Sequence, residues 1–288
     1  MKFYEILLLS RILIISLIIS STQSVDDEAD EISRNLYEEE IENNLKNLMQ
    51  FGPCTIPVES SPITQEEFMA KYAYKSPVVF KRNEFQAKRN QVFEKKTHID
   101  NLLTEYADKI VTLSTANTYS YKKYSMKFSD YLKEQVFSRS VSSYLKNYGN
   151  ETLYFFGDNN YTEWQSLFEI YQRPIYNLPN HIPAYSFGVA AGGSGVPFHF
   201  HGPGFAETLH GRKRWFLYAP EHKPKFDPEK STLRWFVEDY PDLKDDGLMI
   251  ECILEPFDII YFPNRFWHAT LNVDTAVFIS TFISAEFY

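Results

Sequence analysis

At 288 residues the chain is long enough to bury a sizeable core in one domain with an N-terminal elaboration. A formal net charge of -9, with no basic patch, argues against a polyanion partner such as nucleic acid. Aromatic residues make up 17% of the chain, including 20 Tyr and 24 Phe, which suits a β-rich interior better than a helical bundle.

In chain order, residues 1–24 read as a signal peptide. Lys2 is the basic n-region, Ile12 to Ile19 is almost wholly apolar, and Ser20-Ser21-Thr22-Gln23-Ser24 offers a cleavage site. Arg11 splits the apolar stretch. The rival reading is an uncleaved anchor, but Ile12–Ile19 is far short of the ~20 residues that span a bilayer. After cleavage no membrane span is expected. Residues 25–62 form an acidic N-terminal segment, helical over 26–50, where Ile32, Leu36, Ile41, Leu45 and Leu48 recur at near-helical spacing. Gly52-Pro53-Cys54 ends it.

Next, Thr64-Gln65-Glu66-Glu67 matches a capping box, with Phe68, Tyr72 and Ala73 as the apolar face of the helix it starts. Ser76-Pro77 stops that helix, and Val78-Val79-Phe80 reads as a buried strand. Thr97-His98-Ile99-Asp100 opens another helix to about Lys109, in an outer layer where His98 is given no chemical role. Val111–Ser114 is a strand, Tyr119–Tyr124 a polar-aromatic connection, and Phe128–Leu132 the start of a short helix. From about Leu153 short strands alternate with Gly and Pro, the pattern of a sandwich or jelly roll. These strands are Leu153–Phe156, Ala184–Ala190, Phe198–His201, Glu207–His210, Arg214–Tyr218, Ile250–Leu254, Asp258–Phe262, Ala269–Asn272 and Ala276–Ile283. Residues 222–247 are a charged insertion, with Ser231–Tyr240 helical in composition.

Two sequons, Asn150-Glu151-Thr152 and Asn160-Tyr161-Thr162, make Asn150 and Asn160 glycosylation candidates. Cys54 and Cys252 are an even pair. They form either one disulfide in an oxidising lumen or two buried free thiols. The final residues, Ala285-Glu286-Phe287-Tyr288, are not a KDEL-type retrieval signal.

The chemistry concentrates in Val196-Pro197-Phe198-His199-Phe200-His201 and in Tyr261-Phe262-Pro263-Asn264-Arg265-Phe266-Trp267-His268. Side chains at i and i+2 share one face of a strand, so His199 and His201 on one strand, with His268 on an antiparallel one, can aim three imidazoles at one interior point. That is the spacing logic of a non-haem iron site, except that such sites use two His and one carboxylate. Here His201 stands where the carboxylate is expected. Glu207, nearby in sequence, is an alternative carboxylate. Imidazoles also suit Zn, Cu and Ni. Lys213, within Arg212-Lys213-Arg214, is either an inward cation or the middle of a solvated basic run. His210 and His222 are surface or outer-layer residues, Trp215, Trp267 and Phe262 are barrel packing, and His181 has no assigned role.

These pieces, with Gly211-Arg212-Lys213-Arg214-Trp215 and Tyr261-Phe262-Pro263, resemble the JmjC domain over residues 63–283. The resemblance implies a mainly β fold with flanking helices, a double-stranded β-helix (jelly roll) of the cupin superfamily, spanning 63–288. Within the family the chain is most similar to the JmjC domain-containing protein 8 group, small single-domain proteins of the endoplasmic reticulum lumen. Active JmjC oxygenases use Fe(II) and 2-oxoglutarate, so the resemblance makes these the implied cofactors. By position, His199 matches the first iron ligand and His268 the distal one. Lys213 matches the lysine that pairs with the far carboxylate of 2-oxoglutarate, and Ser280 falls where relatives place a helping hydroxyl. His201 departs from the pattern, leaving a bound metal one charge unit more positive. Three-His sites occur in other cupins, the thiol dioxygenases, which do not use 2-oxoglutarate.

Two functions follow as expectations. One is a luminal protein with weakened or absent oxygenase activity that acts by binding luminal proteins, as a regulator or adaptor. The other is an active Fe(II)/2-oxoglutarate hydroxylase of secretory-pathway proteins. Self-association is compatible with either. Histone demethylation is disfavoured by the signal peptide, the acidic charge and the lack of a chromatin-reading domain.

Overall fold

Helix α1 (Asp27–Gln50) runs through the acidic N-terminal segment and crosses the boundary, at Leu48–Met49, between two compact units of the chain. The computed structural model describes residues 27–147, 149–157 and 161–285; the expected signal peptide and Asn160 lie outside them. Among the described residues no helix is long and apolar enough to cross a membrane.

In the second unit, strand β1 (Val58–Glu59) precedes helix α2 (Gln65–Lys71). The capping box forms: Thr64 Oγ1 accepts from the Glu67 N–H (3.1 Å), and the Thr64 N–H donates to the Glu67 carboxylate (2.8 Å). Strand β2 (Val78–Phe80) is followed by helices α3 (Glu84–Arg89), α4 (Gln91–Lys96) and α5 (Ile99–Tyr106). Strands β3 (Ile110–Thr115) and β4 (Lys123–Lys127) then pair antiparallel. The structure turns part of the expected Tyr119–Tyr124 connection into β4. Lys123-Tyr124-Ser125-Met126-Lys127 alternates polar and apolar residues, but the strand is exposed along nearly all its length and, among the described residues, pairs only with β3. Helix α6 (Phe128–Tyr131) runs into a π-helical turn, followed by α7 (Val141–Lys146), β5 (Leu153–Tyr154) and α8 (Gln165–Phe168).

The barrel strands are β6 (His181–Ala190), β7 (Gly195–His199), β8 (Gly204–His210), β9 (Lys213–Tyr218), β10 (Ile250–Leu254), β11 (Ile259–Phe262), β12 (Trp267–Asn272) and β13 (Ala276–Ala285). Between β9 and β10 the charged insertion carries α9 (Thr232–Glu238) and α10 (Tyr240–Leu243). Six strands form one sheet in the order β1-β2-β11-β8-β13-β6, and four form another in the order β10-β9-β12-β7. This is the expected mainly β, double-stranded β-helix with flanking helices.

Period-2 alternation explains how the layers separate. On β11, Ile260 and Phe262 join Ala206, Trp215, Leu217, Cys252 and Leu254 in a core contributed by both sheets. Ile259 and Tyr261 instead pack with Phe68, Phe80 and Phe205 under α2. Both faces of these strands are therefore covered, so they read as nearly continuous apolar runs.

Cys54 and Cys252 form a disulfide, resolving the alternatives left open by the sequence. It ties the segment before β1 to β10, 198 residues away in sequence. Such a bridge removes much chain entropy from the unfolded state. The Cys54→Ser/Cys252→Ser protein is expected to lose about 2–5 kcal/mol. Its thermal midpoint should fall by roughly 5–15 °C. An unchanged melting curve would show that the bridge contributes nothing.

Candidate metal centre

His199 is the last residue of β7 and His268 the second of β12, and the two are register partners across the antiparallel pair. The register shifts by one residue between His268 and Thr270, a bulge that falls on β7 around Pro197. Bulges re-aim side chains, and proline is tolerated there because no ladder N–H is needed.

His201 corrects the sequence expectation. The strand stops at His199, so His201 lies in the β7–β8 loop and not two residues along the same strand face. Gly202-Pro203 follows, and Phe200 between the two histidines is 45% exposed. The loop is held from outside the ladder: the Arg265 N–H donates to the His201 carbonyl (2.9 Å). The imidazole still reaches the other two. Ring centroids lie 4.2 Å apart for His199–His268, 4.7 Å for His201–His268 and 5.4 Å for His199–His201.

The same device orients all three rings. Each donates its Nδ1–H to a backbone carbonyl: His199 to Pro197 (2.8 Å), His201 to Gly202 (2.8 Å) and His268 to Phe266 (2.9 Å). A carbonyl only accepts, so in each neutral ring the proton sits on Nδ1 and the Nε2 lone pair is free. The Nε2 atoms of His201 and His268 stand 3.2 Å apart, and one ligand atom from each of the three residues fits within 4.8 Å of the others. Two lone pairs facing each other at that distance repel unless a cation lies between them. Two nitrogens at ~2.0–2.1 Å from a tetrahedral metal are separated by about 3.3 Å, so the His201–His268 pair has the spacing of two ligands to one divalent metal, with His199 placed to supply the third.

Burial lowers the pKa of all three rings. His199 is brought down to about 4, first by desolvation and then by His201; His268 is held well below its ordinary value by burial and by both neighbours. They are therefore neutral ligands at neutral pH. In the metal-free protein the sign is fixed: unfolded histidines bind protons first as pH falls through about 6.5. The stability these rings contribute is complete above that pH and is lost as pH falls toward about 4. Thermal melts with chelator should therefore show a lower midpoint at pH 5 than at pH 7.5, and the difference should shrink in His199→Ala.

Lys213 begins β9, immediately after the tight turn at Gly211, whose φ of +70° is the left-handed conformation glycine adopts without strain. Its side chain is 3% exposed and points inward, so the solvated-run reading does not hold. Nζ donates to Tyr154 Oη (2.8 Å) and Asn272 Oδ1 (2.8 Å) and lies 4.0 Å from the Phe278 ring centroid. Burial pushes the ammonium well below its usual pKa. Arg214, on the other face of β9, is buried as well, with Nε and Nη2 on Glu251 (2.8 and 2.5 Å). Of the basic run, only Arg212 keeps partial exposure, paired with Asp274.

One cavity joins these groups. His199, His201, His268, Lys213, Ser280 and Trp215 all line it, together with Tyr154 and the rings of Phe156, Phe278 and Phe282. The remaining space is about 30 Å³. That admits one or two water-sized groups. The space is tight for a five-carbon dicarboxylate, although a buried lysine suits its charge.

Glu207 is not a fourth candidate ligand. Its carboxylate is bound by Arg89 Nη2 (2.8 Å to each oxygen) and by Tyr171 Oη (3.2 Å), and among the described residues the clustered potential ligands are the three histidines alone. His210 bonds Thr97 Oγ1 (3.2 Å) and the Glu94 carbonyl (3.1 Å), tying α4 to β8, and His222 is exposed. Trp215 and Phe262 are packing residues that also stack on His268, at 5.8 and 5.0 Å. Asn150 is half-buried, in a turn after α7, and Thr152 of its sequon is buried.

The sequence reading missed Asn272 and Tyr154. A signal for Asn272 was present: His268, Thr270 and Asn272 alternate along β12, so all three face inward. Asn272 is also the register partner of Lys213. No local signal marks Tyr154, which arrives from another sheet.

Comparison with known proteins identifies the family. A family model described as JmjC domain matches residues 175–287. JmjC domain-containing protein 8 of Mus musculus is 48% identical over 236 residues, covering 82% of this chain and 84% of that protein. The Homo sapiens protein of the same name is 47% identical over 230 residues, covering 80% and 84%. Among solved structures, a ribosomal oxygenase from Escherichia coli aligns with a TM-score of 0.48 at 20% identity, over 78% of this chain and 52% of that one. On near-half identity across four-fifths of its length, the chain belongs to the JmjC domain-containing protein 8 family.

Proposed function

We propose that this is a metal-holding JmjC-fold protein of the secretory-pathway lumen, which acts by binding luminal proteins as a regulator or adaptor without turning over 2-oxoglutarate. The observation that carries this reading is the space between the three imidazoles and Lys213, about 30 Å³ and narrowed by Phe156, Phe278 and Phe282. A cosubstrate that must bind both the metal and the lysine is crowded there. The charge of the site points the same way: three neutral imidazoles leave a divalent ion uncompensated, whereas a 2-oxoglutarate oxygenase site uses a carboxylate. A metal bound here would supply Lewis acidity and cross-link β7, β12 and the β7–β8 loop.

The luminal assignment is supported by the disulfide, which belongs to oxidising compartments, and by the signal-like N-terminus and the sequons. Glycosylation at Asn150 and Asn160 belongs to the same proposal. The exposed Phe200, packed edge-on to Trp267 at 4.7 Å beside the histidines, gives a partner an apolar contact at the mouth of the site.

A second reading, an Fe(II)/2-oxoglutarate protein hydroxylase, is favoured by one observation: Lys213 is buried with two neutral oxygens as its hydrogen-bond partners and no carboxylate. Anaerobic titration of the mature protein with Fe(II) and 2-oxoglutarate separates the two. The expected result is iron binding with no metal-to-ligand charge-transfer band, and none in His201→Asp either, since that change leaves Phe156, Phe278 and Phe282 in place. A band lost in His199→Ala and weakened in Lys213→Ala would overturn the non-catalytic reading and establish the oxygenase pocket.

A further inference from the structure

We propose that the cavity between the three imidazoles and Lys213 is a binding site for a small monoanion, of halide or azide size, seated beside the metal. This rests on the metal reading above and names the ligand class of the same site.

Three observations converge on it. The first is size: about 30 Å³ takes one or two water-sized groups and suits a small anion better than a dicarboxylate. The second is charge. A dication on three neutral imidazoles sits in the same low-dielectric pocket as Lys213. Glu207 is the one carboxylate among the lining residues, and it is already bound by Arg89. The metal's charge is not compensated by its ligands, and an anion seated beside it also favours the charged form of Lys213, which burial alone disfavours.

The third observation is an orphaned donor. Trp215 lines the cavity, is 4% exposed, and its indole N–H is buried without an acceptor. An indole can only donate, and a buried donor left unmet is destabilising. Its ring is fixed by stacking on Phe262 and His268, so the N–H cannot turn away cheaply. A water could accept this hydrogen bond but would leave the charge unbalanced. A monoanion answers both needs.

The test loads the mature, disulfide-intact protein with cobalt(II) and titrates sodium azide while the cobalt d–d absorption is recorded. Azide is expected to shift the bands saturably. Its apparent affinity should fall about tenfold in Trp215→Phe, which keeps the aromatic stack, and about tenfold in Lys213→Met, with folding of both checked by circular dichroism. Bands that form with cobalt but ignore azide overturn the anion site and leave the metal centre standing. Azide binding with parental affinity in both variants places the anion elsewhere on the metal and overturns this cavity as its site. Absence of cobalt bands removes the metal reading, and the anion site with it.

Discussion

The His199→Ala protein is expected to bind zinc(II) or cobalt(II) at least about 100-fold more weakly than the parent. Groups that merely orient a metal-bound histidine are worth about 10–100-fold in affinity, so removing a donor atom outright exceeds that. His199 is the ring that β7 delivers directly opposite His268, and its loss leaves two nitrogens 3.2 Å apart without the third. The effect should also appear as stability, because a metal that binds only the folded chain stabilises it by mass action, by about 2.7 kcal/mol at 100 times its Kd. Zinc should therefore raise the melting midpoint of the parent and leave that of His199→Ala nearly unmoved. His222→Ala, an exposed histidine outside the cluster, is the control and should behave as the parent. Competition against a chromophoric chelator measures the affinity directly. Equal affinities in parent and His199→Ala would place the metal elsewhere.

The second large effect concerns folding rather than ligand binding. Arg89 and Glu207 are 4% and 1% exposed at their side chains and meet through two 2.8 Å contacts, with Tyr171 Oη and Asn90 Nδ2 completing the carboxylate's shell at 3.2 and 3.5 Å. Burial raises the Glu207 pKa, and Arg89 beside it partly offsets that rise. Glu207→Ala removes one charge and leaves the other buried and unpaired, a change that costs about 3–5 kcal/mol. A fall of about 10 °C in melting midpoint is expected. The Arg89→Met/Glu207→Leu protein should recover most of it, because a packed apolar pair of similar volume is often neutral or stabilising where half an ion pair is not. If the double variant melts as low as Glu207→Ala, the loss comes from packing around β8 and not from the stranded charge.

The pair also shows why sequence reading stops where it does. Arg89 and Glu207 are 118 residues apart, and each looks like an ordinary charged residue in its own neighbourhood. Glu207 could be entertained as a metal ligand only while its partner was unknown. Once Arg89 from α3 is beside it, its oxygens are committed. Arg214 and Glu251 repeat the lesson: a basic triplet looks solvated in sequence, but α10 covers that face of β9 and Tyr240 Oη accepts from Arg214 (2.7 Å).

What the sequence determined by itself rests on local physics and on position along strands. The capping box at Thr64 and Glu67 lies within four residues, so it is legible and it forms. Strands β2 and β10 have the bounds expected from sequence; for β2 the reason is that Val78, Val79 and Phe80 are an apolar run buried on both faces. The family resemblance and the convergence of His199 with His268 follow from motifs on strands whose side chains alternate, whereas the inward lysine was only implied by the resemblance. Tertiary structure alone decided the rest. It took His201 off the strand and brought its ring back through a loop, a path that spacing of two residues cannot reveal. It locked three tautomers with three carbonyls, and it filled the space beside Lys213 with phenylalanines until about 30 Å³ remained. Volume and lone-pair direction are properties of how separate segments close around a point, and no single stretch of the chain carries them.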